Sequence, residues 1–297
     1  MELRHLILLR ELAERGSVAA TAQALHVSPS AVSQQLRSAE REWGAALVEP
    51  AGRGIRLTEA GRLLADGAVD VASAMAAVQR RWDEFTGSVG GTVSIATLPS
   101  AGAVLLPALL HRLQGTGIEL QIHDHDVAEA RYADLARDHD MVIGHRMTEH
   151  PPAEWSALAR FDLLREPIDV AMPISHPLAG VQAVRAKDIA GERWVGVPEG
   201  FPFDNLRKEL EAKARKAFLV QQRVRDNNLV AALVVAEIGI GLLPRLSTPP
   251  LDGLVLKPLA GVAASRIISA LARPDVAQRA AVRFILSQLT RDHRSIR

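Results

Sequence analysis

The first 57 residues combine short helical patterns of apolar residues with residues that begin and end helices. Leucines at positions 3, 6, 9 and 12 recur at helical spacing and predict a first amphipathic helix, which Gly16 ends. Ser17 caps a second helix over 18–25, and Ser28 followed by Pro29 begins a third that runs to about residue 43. A tight turn before the last of three short helices predicts a helix-turn-helix. The segment 51–57, with two glycines and alternating apolar residues, predicts a small hairpin, or wing.

A single long amphipathic pattern follows the wing. Thr58 and Glu59 begin a helix that lasts to about Phe85, and apolar or small residues occupy positions 60, 64, 67, 71, 74, 78 and 85, with Trp82 nearby. This spacing is typical of a coiled-coil seam. The seam packs either within one chain or against a second copy, and a helix of roughly 40 Å favours the second copy. The glycine-rich segment 87–91 then predicts a hinge.

Strand patterns and helix patterns alternate from residue 92 to the end of the chain. Such alternation predicts an α/β domain with mostly parallel sheets covered on both faces. The predicted strands are 92–98, 118–123, 141–144, 167–172, 194–197, 218–224, 240–243 and 267–272, and the clearest helices are 103–114, 127–138, 229–237 and 276–290.

Composition adds limits on the class of protein. A chain of 297 residues without cysteine is expected to form about two domains, with neither disulfides nor thiolate metal sites. No signal peptide or membrane segment is recognisable, so we expect a cytoplasmic protein. The 35 basic and 34 acidic side chains nearly cancel, and residues 1–91 carry ten arginines against eleven acidic residues. Net charge alone therefore argues against a nucleic-acid partner.

Three segments of the N-terminal region carry a specific resemblance. They are GSVAATAQALHVS at 16–28, AVSQQL at 31–36 and GRGIRLTEAG at 52–61. With them, the chain resembles the LysR-type transcriptional regulators over essentially its whole length. Weaker supporting segments lie at 140–143, 175–179 and 236–244.

This resemblance implies a three-part α/β architecture. Residues 1–58 would form a winged helix-turn-helix DNA-binding domain, and residues 59–91 a linker helix for dimerisation with its hinge. Residues 92–297 would form the effector-binding regulatory domain, made of two Rossmann-like sub-domains similar to periplasmic binding proteins. The first lobe is placed at about 92–163 and 267–297, and the second at about 164–266. The resemblance also implies tetramers.

The third helix and the wing hold the predicted DNA contacts. Short polar and fork-shaped side chains on one face of a recognition helix can reach base edges in the major groove of double-stranded DNA. The alternative is an ordinary solvated helix face or, for the wing, a solvated turn. The predicted contacts are Ser30, Ser33, Gln34 and Arg37 on the helix, and Arg53 and Arg56 in the wing.

Polar residues at strand ends and helix starts hold the predicted effector site. Ligands of two-lobed sheets lie at the carboxyl ends of strands, and a helix N-terminus there favours an anion such as a carboxylate or phosphate. The alternatives are helix caps and side chains that point outward. The predicted contacts are Thr97, Ser100, His145, Arg146, Asn227 and Asn228.

Other classes of function have less support. Five of the ten histidines fall between 123 and 150, but without an established ligand spacing, so no metal is expected. No catalytic motif or cofactor-binding loop is present, so we expect neither an enzyme nor a cofactor. A solute-binding or transport component could use the two-lobed fold alone, yet it requires a secretion signal and no DNA-reading head. The hypothesis is a transcription regulator that responds to a small molecule of unknown identity.

Overall fold

A computed structural model describes residues 2–52, 54–125 and 131–292. The chain divides into two compact units: residues 1–88 with 274–280, and residues 89–273 with 281–297. Among the helices of the described ranges, none is both long and apolar enough to span a bilayer.

The first unit is helical, with one small hairpin. Its helix boundaries confirm the sequence signals: Gly16 has a φ of 67° after the first helix, and the hydroxyls of Ser17 and Ser28 accept hydrogen bonds from the amides of Ala20 and Ala31. The elements are α1 (Leu3–Arg15), α2 (Val18–Ala24), α3 (Pro29–Trp43), β1 (Val48–Ala51), β2 (Gly54–Leu57) and α4 (Glu59–Thr86), and β1 pairs antiparallel with β2.

An aliphatic core holds the three short helices together. Leu8, Leu9, Val32 and Leu47 are fully buried in it, and Ala65 brings the first turns of α4 against it. Burying several such side chains contributes on the order of 2 kcal/mol each, which fixes the orientation of α3.

The second unit begins with a parallel sheet. Strand β3 lies between β4 and β5, and β13 adds to the far side of β5 in antiparallel orientation. The elements of this first lobe are β3 (Gly91–Thr97), α5 (Pro99–Leu113), β4 (Ile118–Asp124), α6 (Tyr132–Leu135), β5 (Met141–Arg146) and, near the end of the chain, β13 (Ser265–Ala272) and α9 (Ala280–Asp292).

The second lobe repeats the arrangement. Parallel strands β9, β8 and β10 lie side by side, and the antiparallel strand β6 pairs with β10. The elements are β6 (Ala159–Pro173), β7 (Val184–Arg185), β8 (Arg193–Gly196), α7 (Pro202–Ala214), β9 (Leu219–Arg223), α8 (Asn227–Val235), β10 (Ile240–Pro244), β11 (Leu254–Lys257) and β12 (Leu259–Ala260).

Strand β6 belongs to both lobes. Its first half pairs with β13 as far as Pro167, and its second half pairs with β10 and β11 from Ile168 onward. The sequence predicted only 167–172 as a strand, because charged residues such as Arg165 and Glu166 interrupt the apolar pattern before it. The structure corrects this, since ion pairs satisfy those charges. It also shows mixed sheets, in which three parallel strands per lobe are flanked by antiparallel ones.

Several helix predictions differ from the structure. Helix α8 (Asn227–Val235) begins and ends two residues before the predicted 229–237. Helix α5 begins at Pro99, four residues before the predicted start, because proline suits the first helical position. The predicted helix 276–290 is a 3-10 turn over Val276–Gln278 followed by α9. Of the predicted helix 127–138, α6 is observed, while residues 126–130 lie outside the described residues.

Candidate functional site

The outer face of α3 carries the four predicted base-contacting side chains. Ser30, Gln34 and Arg37 are exposed, and Ser33 is half-buried. Ser33 donates its hydroxyl hydrogen to the carbonyl of Pro29 at 3.0 Å, and the hydroxyls of Ser28 and Ser30 are 2.9 Å apart. The two serines are therefore engaged locally, and Gln34 and Arg37 are the long polar side chains at this face.

Two further arginines border this face. Arg41 lies one turn beyond Arg37 and is exposed on the same side of α3. It was not among the predicted contacts, which were limited to the first turns of the helix. In the wing, Arg56 pairs with Glu49 across the hairpin at 2.7 Å, an exposed ion pair that a phosphate could replace at little cost. The predicted contact Arg53 lies outside the described residues.

A cavity of about 370 Å³ lies in the second unit between the two lobes. It is located where β6 and β13 carry the chain from one lobe to the other. Its lining mixes apolar and aromatic side chains with a few polar ones, which is typical of small-molecule sites. Four of the six predicted effector contacts line it: Ser100, His145, Asn227 and Asn228.

Three helices begin at this cavity. The first residues of α5, α7 and α8 all belong to its lining. Helices α5 and α7 start with a proline and have no side-chain cap, whereas the carboxylate of Asp226 accepts the Leu229 amide at the start of α8. Helix N-termini carry partial positive charge and unbonded N–H groups, so this arrangement favours a negative group in the cavity.

A buried ion pair connects the cavity to both lobes. The Arg266 guanidinium donates through Nε to Glu166 at 2.7 Å, and through Nη2 to the hydroxyls of Ser100 and Ser247 at 3.1 and 2.9 Å. Glu166 in turn accepts the backbone amides of Leu246 and Ser247. Both charged side chains are at most 1% exposed. Ser100 belongs to the first lobe and Ser247 to the second, so Arg266 contacts both.

His145 lies beside this pair as a neutral side chain. Burial, reinforced by the positive charge of Arg266, lowers the pKa of His145 to about 3. Its ring packs edge-on against Tyr132 and Phe203, with centroid distances of 6.0 and 6.3 Å. Its Nδ1 is buried, and no partner for it is found among the described residues. The imidazole therefore offers hydrogen-bonding capacity without charge.

The low pKa of His145 predicts a loss of stability in mild acid. Below pH 6.5 the unfolded chain protonates this histidine while the folded chain does not, so the free energy of unfolding falls as the pH falls. At pH 5 the loss relative to pH 7 is about 2 kcal/mol. Thermal unfolding of the wild type and of His145→Gln at pH 7 and pH 5 measures it.

For each protein, the stability at pH 5 is subtracted from the stability at pH 7. This difference removes any effect of the substitution that does not depend on pH. His139, whose pKa burial also lowers, is present in both proteins and cancels. The carboxylates with lowered pKa values, such as Asp162 and Asp204, lose their contribution only at lower pH. An equal pH dependence of the two proteins would contradict the prediction.

Two predicted effector contacts, Thr97 and Arg146, lie outside the lining of this cavity. Thr97 is buried outside the cavity lining, and its hydroxyl donates to the Leu98 carbonyl at 3.1 Å. Arg146 is also outside the lining, and it is held by a two-pronged ion pair with Asp162 at 2.8 and 2.9 Å and by Ser269. Successive side chains of a strand point to opposite faces, so His145 and its neighbour Arg146 cannot both face the cavity.

The charged centre of the site, formed by Arg266 and Glu166, was not predicted from the sequence. Arg266 stands at the start of an apolar strand, and a lone arginine before five apolar positions was a usable signal. Glu166 gave no signal, because its partner is 100 residues away in the sequence.

Three histidines of the first lobe lie close together. The rings of His123 and His139 lie 4.7 Å apart, and those of His125 and His139 lie 5.4 Å apart. Across the residues that the structure describes, no group of three or more histidine and acidic side chains is arranged to hold a metal ion.

A winged helix-turn-helix with an exposed recognition face, and a two-lobed domain with a central cavity, define a DNA-binding transcriptional regulator with an effector-binding domain. The chain belongs to the LysR family. Residues 3–62 match the bacterial regulatory helix-turn-helix protein, lysR family, and residues 86–294 match the LysR substrate binding domain. The predicted resemblance is thereby confirmed. The solute-binding alternative is not favoured, because the match includes the DNA-binding head.

Curated relatives agree over most of the chain. The transcriptional dual regulator GltC of Bacillus subtilis is 30% identical over 247 residues, which cover 82% of this chain and 81% of GltC. The DNA-binding transcriptional dual regulator OxyR of Escherichia coli is 28% identical over 277 residues, covering 92% and 90%.

Solved structures share the fold at lower identity. A full-length OxyR variant from Pseudomonas aeruginosa has a TM-score of 0.65 and 18% identity, covering 97% of this chain and 94% of its own. Full-length CbnR complexed with its target DNA has a TM-score of 0.55 and 20% identity, covering 99% and 100%.

Proposed function

We propose that the protein acts as a homodimer in which two heads read a pseudo-palindromic site in double-stranded DNA, and that a small molecule in the cavity controls this activity. The observation that carries the first part is the exposed apolar stripe of α4. A closed two-fold dimer presents two recognition helices, and a palindromic operator mirrors that symmetry.

The stripe is defined by Met75, Val78, Trp82 and Phe85. These residues recur at spacings of three and four on one side of α4, and the last three side chains are 57%, 60% and 83% exposed. Large apolar side chains in a row on a helix indicate a partner that removes them from water. A second copy presents the same stripe and therefore fits it.

The stripe covers only part of the predicted seam. Ala60 and Leu64, two of the predicted seam positions, pack against the core of the head instead. Dimerisation through the C-terminal half of α4 is therefore our proposal. Tetramers, which the resemblance implied, stay a prediction that sedimentation of the full chain can test.

The proposed reading surface is the outer face of α3 with the wing. Gln34 can pair bidentately with adenine, and Arg37 with guanine or a phosphate. Ser30, Ser33 and Arg56 add shorter or peripheral contacts. Because residues 1–91 carry a net charge of −1, nonspecific attraction to DNA is weak and binding depends on these few placed side chains.

Arg37→Ala is expected to weaken binding to the operator by about ten- to a hundredfold, the usual worth of one bidentate base contact. Footprinting and gel-shift titration with DNA from upstream of the protein's own gene measure the loss. Arg80→Ala removes the same charge from α4, where Arg80 pairs with Glu84, and should change affinity little. Equal losses in both variants would contradict a role for Arg37, and no protected DNA would contradict the proposed reading of DNA.

The proposed effector site is the cavity between the lobes. Ser100, His145, Asn227 and Asn228 line it, and its size and lining suit a small molecule. A ligand there contacts both lobes, so it can change their arrangement and thereby the positions of the heads. The chain has no cysteine, so a thiol is excluded as the group that receives the signal.

A further inference from the structure

The described residues around the cavity between the lobes leave a surplus of partial positive charge. Arg225 and Arg266 line it, and Asp226 in the lining and Glu166 behind Arg266 offset them. Formal charges therefore cancel. The N-termini of α5, α7 and α8 add partial positive charge of roughly half an elementary charge each. Together they give a surplus of roughly one and a half charges, which an anionic group in the cavity offsets and a neutral ligand does not.

One nitrogen of the Arg266 guanidinium, Nη1, makes no hydrogen bond to the described residues. All hydrogen bonds of this guanidinium use Nε and Nη2. Among the described residues, Nη1 has no hydrogen-bond partner, although the side chain is 1% exposed. A guanidinium carries two N–H donors on each Nη atom, and a buried charged donor without a partner is costly. This is a second observation, independent of the helix N-termini, that points to an acceptor from outside the chain.

Most of the remaining lining is apolar or aromatic, and His145, Asn227 and Asn228 add a few polar groups. Tyr132, Phe201 and Phe203 contribute rings, and Leu98 and Val104 contribute aliphatic surface. The volume of about 370 Å³ lies toward the small end of the range for ligand pockets. Such walls bind a compact apolar body and disfavour a sugar or a polyphosphate chain, because polar groups would be left without partners.

Resting on the proposed function, we infer that the effector is a monocarboxylate with a compact aromatic or aliphatic body, and that Arg266 recognises its carboxylate through Nη1. Ser100 of the first lobe and Ser247 of the second both accept hydrogen bonds from the guanidinium, so a ligand bound to Arg266 is coupled to both lobes. We expect a single negative charge, because Glu166 and Asp226 already offset the two arginines of the lining and only the partial charges of the helix N-termini remain.

Matched acids and amides test this on the unmodified protein. Benzoate, 1-naphthoate and hexanoate are compared with benzamide, 1-naphthamide and hexanamide by thermal shift and calorimetry, with phthalate and inorganic phosphate as multiply charged probes. At least one acid should raise the melting temperature and bind about tenfold or more tightly than its amide, and more tightly than phthalate or phosphate. Equal binding of acid and amide, tighter binding of a dianion, or no binding of any acid overturns the inference.

A pair of double variants locates the recognition. Glu166→Gln/Arg266→Gln removes both charges without leaving an unpaired one, and it should reduce the affinity of the acid to that of its amide. Asp162→Asn/Arg146→Gln removes both charges of an ion pair between the buried Arg146 and the exposed Asp162, outside the cavity lining, and should leave the preference intact. Retention of the acid preference in the first variant, or its loss in both, would contradict the role of Arg266. If the first variant does not fold, the acid–amide comparison on the unmodified chain still decides.

A gel shift on the same samples separates this inference from the proposed function. DNA binding without any preference for acids would refute only the monocarboxylate inference. A preference for acids without DNA binding would instead refute the proposed reading of DNA.

Discussion

Val78→Glu combined with Trp82→Glu is expected to convert the proposed dimer into monomers and to weaken operator binding by about a hundredfold or more. Each substitution places a charge in the exposed stripe of α4, where two copies would have to bury it together with its symmetry mate. A monomer binds one half-site only, and loss of the second, tethered head removes an effective-concentration gain of roughly 10²–10⁴. Sedimentation and gel-shift titration measure both effects.

The matched control carries the same change in net charge on the other side of the helix. Ser73→Glu with Arg80→Gln lies off the stripe and should leave the protein dimeric, with DNA affinity little changed. If the stripe variant remains a dimer with undiminished affinity, α4 is not the dimerisation element. If both variants dissociate, the effect is one of charge and not of the stripe.

Gly61→Ala is expected to unfold the head, with a loss of about 3 kcal/mol or more. A Cβ at this position would overlap the backbone carbonyl oxygen of Leu47, and it would lie 3.2 Å from the Cβ of Leu57. The Leu47 carbonyl cannot move away, because it accepts the amide of Thr58 at 3.0 Å while the Leu47 amide is held by Glu40. Calorimetry should show early melting of the first unit, and DNA binding should be lost.

Gly67→Ala, on the same helix, is the control for this prediction. Its added Cβ meets no atom within 4 Å, so the substitution should preserve the head or raise its stability by up to about 1 kcal/mol through helix propensity. Unchanged melting of the Gly61→Ala protein would show that the junction between α4 and the wing is looser than the structure indicates.

Predictions that depend on interactions between residues close in the sequence were correct, whereas predictions that depend on contacts between distant residues were incomplete. Ser17, Ser28 and Pro29 act on their own helices within three residues, and the three short helices begin as predicted. Strand β6 was predicted at less than half its length, because Glu166 is satisfied by a residue 100 positions away. Arg146 was predicted to face the effector site, but it points to the opposite face of β5 and pairs with Asp162. Two adjacent polar residues do not reveal which of them faces the cavity.

The amino-acid sequence by itself determined the helix-turn-helix head, the long helix after it, the alternation of strands and helices in the rest of the chain, and the membership of the family. These depend on caps, periodicity and spaced motifs, which are local properties of the chain. Only the tertiary structure decided which polar residues share the cavity, because Ser100, Glu166, Ser247 and Arg266 come from four separate segments. It also decided that part of the predicted seam of α4 belongs to the head core and that the exposed stripe lies beyond it. Burial and charge pairing arise between distant segments, and they are settled only when the chain is folded.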